Sequence, residues 1–286
     1  MSKVYDCFMM FNEIEVARLR MEILYPHVTK FVIVESNKTH LGQDKPFYFE
    51  QNKELFAKYA DKIIHKKLDI SKRDNGWDKE NYQRYKISEF LKELELNDDD
   101  IVMMSDCDEI WRPEALADAR SYPYCFFNQM YFLYYINLFS GKCVTGTSCC
   151  KYSVLKMLDS NYNNCGLQML RNSKDYGCVI ENAGWHYGYM GGSKTISEKS
   201  RAIVEGKVSG PNTTEEYFEK QIKQALETKT SPYSSRPLKL LNINESAAYF
   251  HYTTARNGSW IDSENVLDYR PNIDLRQFSH LIKTNV

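Results

Sequence analysis

An α/β fold on a mostly parallel central sheet is predicted by three observations. The first hundred residues alternate apolar runs with stretches of helical periodicity three times before a fourth apolar run begins. Those runs are near-continuous rather than alternating, as strands buried on both faces are. The fourth, residues 101–104, discharges into Asp106, Asp108 and Glu109, carboxylates at the strand end where open α/β sheets gather ligands. Together they describe a Rossmann-like αβα sandwich with right-handed crossovers.

Residues 4–11 read as the first strand. Asn12 is placed as an N-cap, and Glu15, three residues on, completes a capping-box pattern. The helix that follows carries Ile14, Ala17, Met21 and Leu24 on one face and stops before Pro26. Residues 31–34 form the second strand, ending in Glu35-Ser36-Asn37. A second helix is expected over 51–60 with Leu55, Phe56 and Tyr59 inward, then a strand over 62–68. Asn75-Gly76-Trp77-Asp78 reads as a turn with an N-cap, opening a helix over 79–96 whose inward stripe is Ile87, Leu91 and Leu94. Arg84 lies near that stripe. It either pairs with Glu80 at i,i+4 or points into the sheet edge toward an anionic ligand.

After Pro113 the pattern changes. Residues 122–139 carry nine aromatics and read as long strands or a hairpin, and 145–150 as a further extended segment. A polar loop follows at 161–166. Residues 179–189 hold Ala183-Gly184-Trp185-His186, with Gly191-Gly192 just beyond. Helices are expected over 198–205 and 213–227, and a short apolar run at 247–252 contains His251.

Composition narrows the function. At 286 residues the chain has ample length for a substantial core and is read as one domain, 1–286, with halves 1–112 and 113–286. A net charge of −1 leaves no basic excess for a nucleic-acid partner. The aromatic content is high, with 21 Tyr, 14 Phe and 4 Trp, useful for packing and also for the flat faces of sugars. None of the eight cysteines forms a Cys-x-x-Cys pair, which argues against a zinc cage. They are read as reduced thiols of a soluble, cytoplasmic protein. No signal-peptide or membrane-span pattern is seen.

Two aspartates one residue apart at a sheet edge can share a hard divalent cation through their oxygens. Asp-x-Asp alone arises by chance about once in a chain of this length. Co-location strengthens it: Asn12, Glu13, Glu35 and Asn37 would all emerge at the carboxyl edge that carries the aspartates. Neither Gly-x-Gly-x-x-Gly nor a P-loop motif is present, so dinucleotide and P-loop readings lack their phosphate cradle.

Phe11-Asn12-Glu13, Val34-Glu35-Ser36-Asn37, Gln83-Arg84, Ser105-Asp106-Cys107-Asp108-Glu109-Ile110 and Ala183-Gly184-Trp185-His186 occur in an order that resembles glycosyltransferase family 17. The family's best-known members are the bisecting β-1,4-mannosyl-glycoprotein N-acetylglucosaminyltransferases. The resemblance implies a GT-A-type fold, a UDP-sugar donor (typically UDP-GlcNAc), a glycan or glycoprotein acceptor, Mn²⁺ or Mg²⁺, and inversion at the anomeric carbon. Carried onto this chain, it makes Asp106 and Asp108 the metal-holding pair, with His186 a further metal or phosphate contact and His251 its rival. Asn12, Glu13 and Glu35 would lie near the nucleoside, Arg84 near the phosphates or the sugar. Lys199 is a second candidate cation for the diphosphate, Glu109 and Glu181 are candidates for the general base, and Trp185 and Tyr187 for the acceptor platform. Other readings are a different donor such as UDP-xylose or UDP-glucose, a non-catalytic sugar-binding protein, and a haloacid-dehalogenase-like phosphatase with the first Asp as nucleophile.

Overall fold

The computed structural model describes residues 2–174, 177–204, 212–234, 236–241 and 275–283. In chain order its elements are β1 (Val4–Met9), α1 (Ile14–Leu24), β2 (Lys30–Ser36), α2 (Tyr48–Gln51), a 3-10 stretch (Lys53–Lys62), β3 (Ile63–Leu68), α3 (Gly76–Lys92) and β4 (Ile101–Asp106). The second half adds β5 (Glu109–Trp111), α4 (Ala115–Ala119), β6 (Tyr124–Leu133), β7 (Leu138–Lys151), α5 (Tyr152–Asn161) and α6 (Gly166–Asn172). Then come β8 (Cys178–Ile180), β9 (Gly184–Gly188), α7 (Gly192–Ala202), α8 (Glu215–Thr228), β10 (Lys239–Leu240) and a 3-10 segment (Leu275–Leu281).

β3, β2, β1 and β4 lie side by side in that order and run parallel. β7 joins β4 antiparallel and pairs with β6 in a bulged antiparallel hairpin. β6 takes β8 and β9 as parallel neighbours, and β5 closes the far edge antiparallel to β9. This mixed α/β sheet is the expected GT-A-like, Rossmann-type organisation, its uninterrupted parallel block confined to the N-terminal half.

The continuous apolar runs are explained by cover on both faces. Along β4, Ile101 and Met103 join a cluster with Ala17, Leu19 and Met21 of α1, whereas Val102 and Met104 meet Ile87 and Leu91 of α3 and Leu167 of α6. Each such side chain stabilises the fold by roughly 1.5–3 kcal/mol relative to exposure. The register aligns Met9 of β1 with Asp106 of β4 and with Val34 of β2. The segments after β1, β2 and β4 therefore leave one edge together.

Three local expectations need correction. The first helix is capped at Glu13 without a side-chain hydrogen bond. Asn12 sends its amide to Glu198 Oε2 at 3.1 Å and leaves its Oδ1, the atom a cap would use, buried without a hydrogen-bond partner among the described residues, while Glu15 pairs with Arg18 at 2.8 Å. The second helix is a short α-turn followed by 3-10 structure, and in that tighter spiral Leu55 turns outward, 47% exposed. The third helix starts earlier and stops at Lys92, with Asn75 accepting from the Asp78 amide. The run at 247–252, with His251, lies outside the described residues.

Candidate functional site

The site begins with a buried ion pair that the motif reading missed. Asp6 sits mid-strand in β1 on the face covered by α1, and Arg20 reaches it from that helix. The guanidinium grips both Asp6 oxygens at 2.7 Å, and neither side chain is exposed. The fork has donors to spare. It reaches Ser105 Oγ at 2.6 Å and the carbonyls of Asp106, Cys107 and Glu109 at 3.0, 3.3 and 3.0 Å. The Trp111 indole N–H donates to Asp6 Oδ1 at 2.9 Å. One buried cation thus fixes the backbone of the turn that presents the aspartates, using the planar, multi-donor geometry that lysine lacks.

Above that clamp, carboxylates and cations alternate. Asp106 Oδ2 meets Arg171 of α6 at 2.6 Å and Asp106 Oδ1 meets Arg84 of α3 at 3.3 Å. Arg84 also pairs with Glu80 at 2.6 Å and donates to Gln168 at 2.9 Å. Arg84 therefore makes its i,i+4 pair with Glu80 and also reaches Asp106 at the sheet edge. Glu109 takes Arg171 through both oxygens, at 2.9 and 3.1 Å, and accepts from the Asp106 amide at 2.9 Å. Asp108 Oδ2 pairs with Lys199 of α7 at 2.8 Å, and the same ammonium reaches Glu13 at 2.8 Å. His186 Nε2 lies 3.9 Å from Asp108 Oδ1, its Nδ1 buried without a hydrogen-bond partner among the described residues.

The charges follow from these distances. Burial pushes the Asp106 carboxyl up, but Arg171, Arg84, His186 and Lys199 outweigh it and hold the group well below the usual carboxylate range. Asp108 is likewise pushed up by burial and brought down overall, chiefly by Lys199 and then His186. Burial would lower Lys199, yet Asp108 and Glu13 keep it well above the ordinary lysine value. Arg171 is raised the same way by Asp106 and Glu109 against its own burial. Five carboxylates (Asp106, Asp108, Glu109, Glu13 and Glu80) face three cations (Arg84, Arg171 and Lys199), so the network retains two negative charges.

These groups open onto a cavity of about 290 Å³. One end, over the β1 and β2 edge, is lined by Phe11, Ser36, Lys38, Thr39, His40 and Lys45; the other by Tyr131, His186, Gly188 and Tyr189. Gly188 has to be small: a Cβ there would stand 2.2 Å from Tyr131 Oη. Tyr189 stacks at 5.1 Å on Tyr233, which is 43% exposed at the rim.

The structure brings Glu13, Asp106, Asp108, His186 and Lys199 together on the wall of this cavity, with Arg84 and Glu109 off the wall, tied to it through Asp106, and Asn12 bonded to Glu198. It does not bring Glu35, Glu181, Trp185 or Tyr187 to the wall. Glu35 is fully buried between the Phe49 amide at 3.0 Å and His65 at 2.9 Å. Glu181 is exposed and bonded to Asn128. Trp185 and Tyr187 point into the core because residues two apart on β9 share a face, which sends His186 and Gly188 the other way. Arg171 and Arg20 are the residues that the sequence motifs left out. Arg20 carried a signal, a cation three residues after inward Ala17; Arg171, on a seven-residue helix, carried none.

The family model for glycosyltransferase family 17 matches residues 1–198. No curated protein matches the chain.

Proposed function

The chain belongs to glycosyltransferase family 17, and we propose that this glycosyltransferase moves a sugar from a UDP-sugar to a glycan hydroxyl, inverting the anomeric carbon with the help of a divalent cation. The observation that carries the proposal is the Asp106–Asp108 pair at the end of β4, facing a cavity with cations on three sides. No helix among the described residues is long and apolar enough to cross a membrane.

The donor set suits a cation completed by substrate. Among the described residues no three His, Cys, Asp or Glu side chains converge on one metal position. Magnesium-like sites commonly take one or two carboxylates and fill the remaining positions with phosphate oxygens and water, and two aspartates facing an open cavity could supply those carboxylates. Asp106 and Asp108 would hold it, with His186 beside Asp108. Bound there, it would act as a Lewis acid on the departing diphosphate.

The chain's own groups do the rest. Arg84, Arg171 and Lys199 are preorganised positive charges around the place where leaving-group charge grows. The polar end of the cavity, with Ser36, Thr39 and Lys45, suits the nucleoside and its phosphates; burial holds the Lys45 ammonium below the ordinary lysine range. The aromatic end, where Tyr189 stacks on Tyr233, suits the acceptor sugar, a role earlier given to Trp185 and Tyr187. Glu109, doubly bound by Arg171, is better fitted to hold the turn than to take a proton.

The decisive measurement is UDP release from a panel of UDP-GlcNAc, UDP-glucose and UDP-xylose with Mn²⁺. Turnover abolished by Asp108→Ala supports the proposal. Phosphate release from phosphomonoesters, or sugar binding without turnover, would overturn it.

A further inference from the structure

The three cations around the aspartates are not equally fixed. Arg171 is held by both oxygens of Glu109 as well as by Asp106. Arg84 is held by Glu80 and Gln168 as well as by Asp106. Each guanidinium is a rigid fork with several simultaneous partners, so moving it breaks all of them together. Lys199 has the other design: a compact ammonium on a flexible four-carbon stem, shared at 2.8 Å between Asp108 Oδ2 and Glu13 Oε1. It can leave Asp108 and keep a charge partner. Asp108 is also one of the two carboxylates that would hold the divalent cation.

We propose that Lys199 occupies Asp108 in the ligand-free protein in place of the divalent cation and yields it only when a nucleoside diphosphate arrives. This rests on the metal and diphosphate reading above. In the exchange the ammonium gives up Asp108 Oδ2, keeps Glu13, and turns its remaining donors to the phosphate oxygens. Metal alone is opposed by a like charge a few ångströms away; metal with diphosphate is admitted because the anion compensates both cations. Lys199 is then the element that couples the two ligands, and by linkage each raises the affinity of the other. A purely structural salt bridge gives no such coupling.

Mn²⁺ binding, followed by loss of the free-ion electron paramagnetic resonance signal, reads this directly without turnover. Wild type, Lys199→Gln and Lys199→Arg are titrated with Mn²⁺ alone and again with saturating UDP, each variant checked by its thermal melt. Lys199→Gln is expected to bind Mn²⁺ alone about tenfold tighter than wild type or more, because a unit positive charge is removed from beside the ion. UDP then adds less to its metal affinity than to that of wild type. Lys199→Arg keeps the charge but adds a fork that grips Asp108 and Glu13 together, so its Mn²⁺ affinity in the presence of UDP falls about fivefold or more. Unchanged or weaker Mn²⁺ binding by Lys199→Gln overturns the inference. Should that variant not fold, an unaltered Lys199→Arg overturns it instead. Wild type that binds no Mn²⁺ even with UDP would sink the metal reading itself, a result separate from the comparison made with the metal alone.

Discussion

Replacing Arg20 by Met tests whether the turn bearing the aspartates is held by charge, by geometry or by both. Methionine fills similar space but leaves the Asp6 carboxylate buried, with the Trp111 N–H still donating to it. Removing one partner of a fully buried ion pair costs about 3–5 kcal/mol, because the survivor is an uncompensated charge. For a chain of this size that lowers Tm by about 5–8 °C. The carbonyls of Asp106, Cys107 and Glu109 lose their shared donor at the same time, so UDP binding should fall as well. Adding Asp6→Asn separates the two effects. The neutral amide still accepts from Trp111, and a neutral pair is tolerated where a lone charge is not. Urea midpoints should recover a large part of the loss in the double variant, whereas calorimetric UDP affinity should not, since the carbonyl clamp is still missing. A cost under about 1 kcal/mol for Arg20→Met would refute the buried-charge reasoning. Recovery of UDP affinity along with stability would refute the clamp.

Gly188→Ala drives a methyl into Tyr131, whose ring must swing into the cavity; the KM for the UDP-sugar or the acceptor should rise sharply while the melt shifts only modestly. Asp106→Asn should flatten the acid limb of stability. The native carboxyl is held low, so its contribution is full above about pH 4, the unfolded value, and is lost as pH falls toward the native one. Urea midpoints measured from pH 5 to 3 would show that fall in wild type and less of it in the variant. Leu55→Gln should change stability by less than about 0.5 kcal/mol, whereas Phe56→Ala, at a buried position, should cost about 3–5 kcal/mol; the reverse order in denaturant melts would contradict the tighter 3-10 spiral.

Much of the parallel half was legible because one physical rule governs it. A strand buried on both faces is apolar along nearly all its length, so the runs behind β1, β2 and β4 announced themselves, and the carboxylates beyond Met104 marked the strand end. The helix after β2 was misread for a reason the sequence does not display. Leu55, Phe56 and Tyr59 fit a 3.6-residue stripe on paper, but in a spiral nearer three residues per turn only Phe56 and Tyr59 face inward. On β9 the error was one of face. Trp185, His186 and Tyr187 were grouped as neighbours in sequence, yet a strand sends adjacent residues to opposite sides.

The site shows a different limit. Asp106, Asp108 and Glu109 are three carboxylates within four positions, and nothing local says which are free to serve a ligand. Arg171 arrives from a helix 62 residues beyond Glu109 and takes both of its oxygens. The same fork holds Asp106 through one oxygen at 2.6 Å and Arg84 meets the other at 3.3 Å, yet 39% of the Asp106 side chain stays exposed. Which carboxylate oxygens the protein already holds is therefore written in long-range contacts. Arg20 was the more readable half of this support. A carboxylate in the middle of a buried strand, Asp6, and an arginine on the buried face of the next helix each need a partner, and adjacency in an α/β unit supplies it. The Asp6–Arg20 pairing is local to one strand–helix unit, whereas its reach to the carbonyls of Asp106, Cys107 and Glu109 spans more than 80 residues and has no local signal.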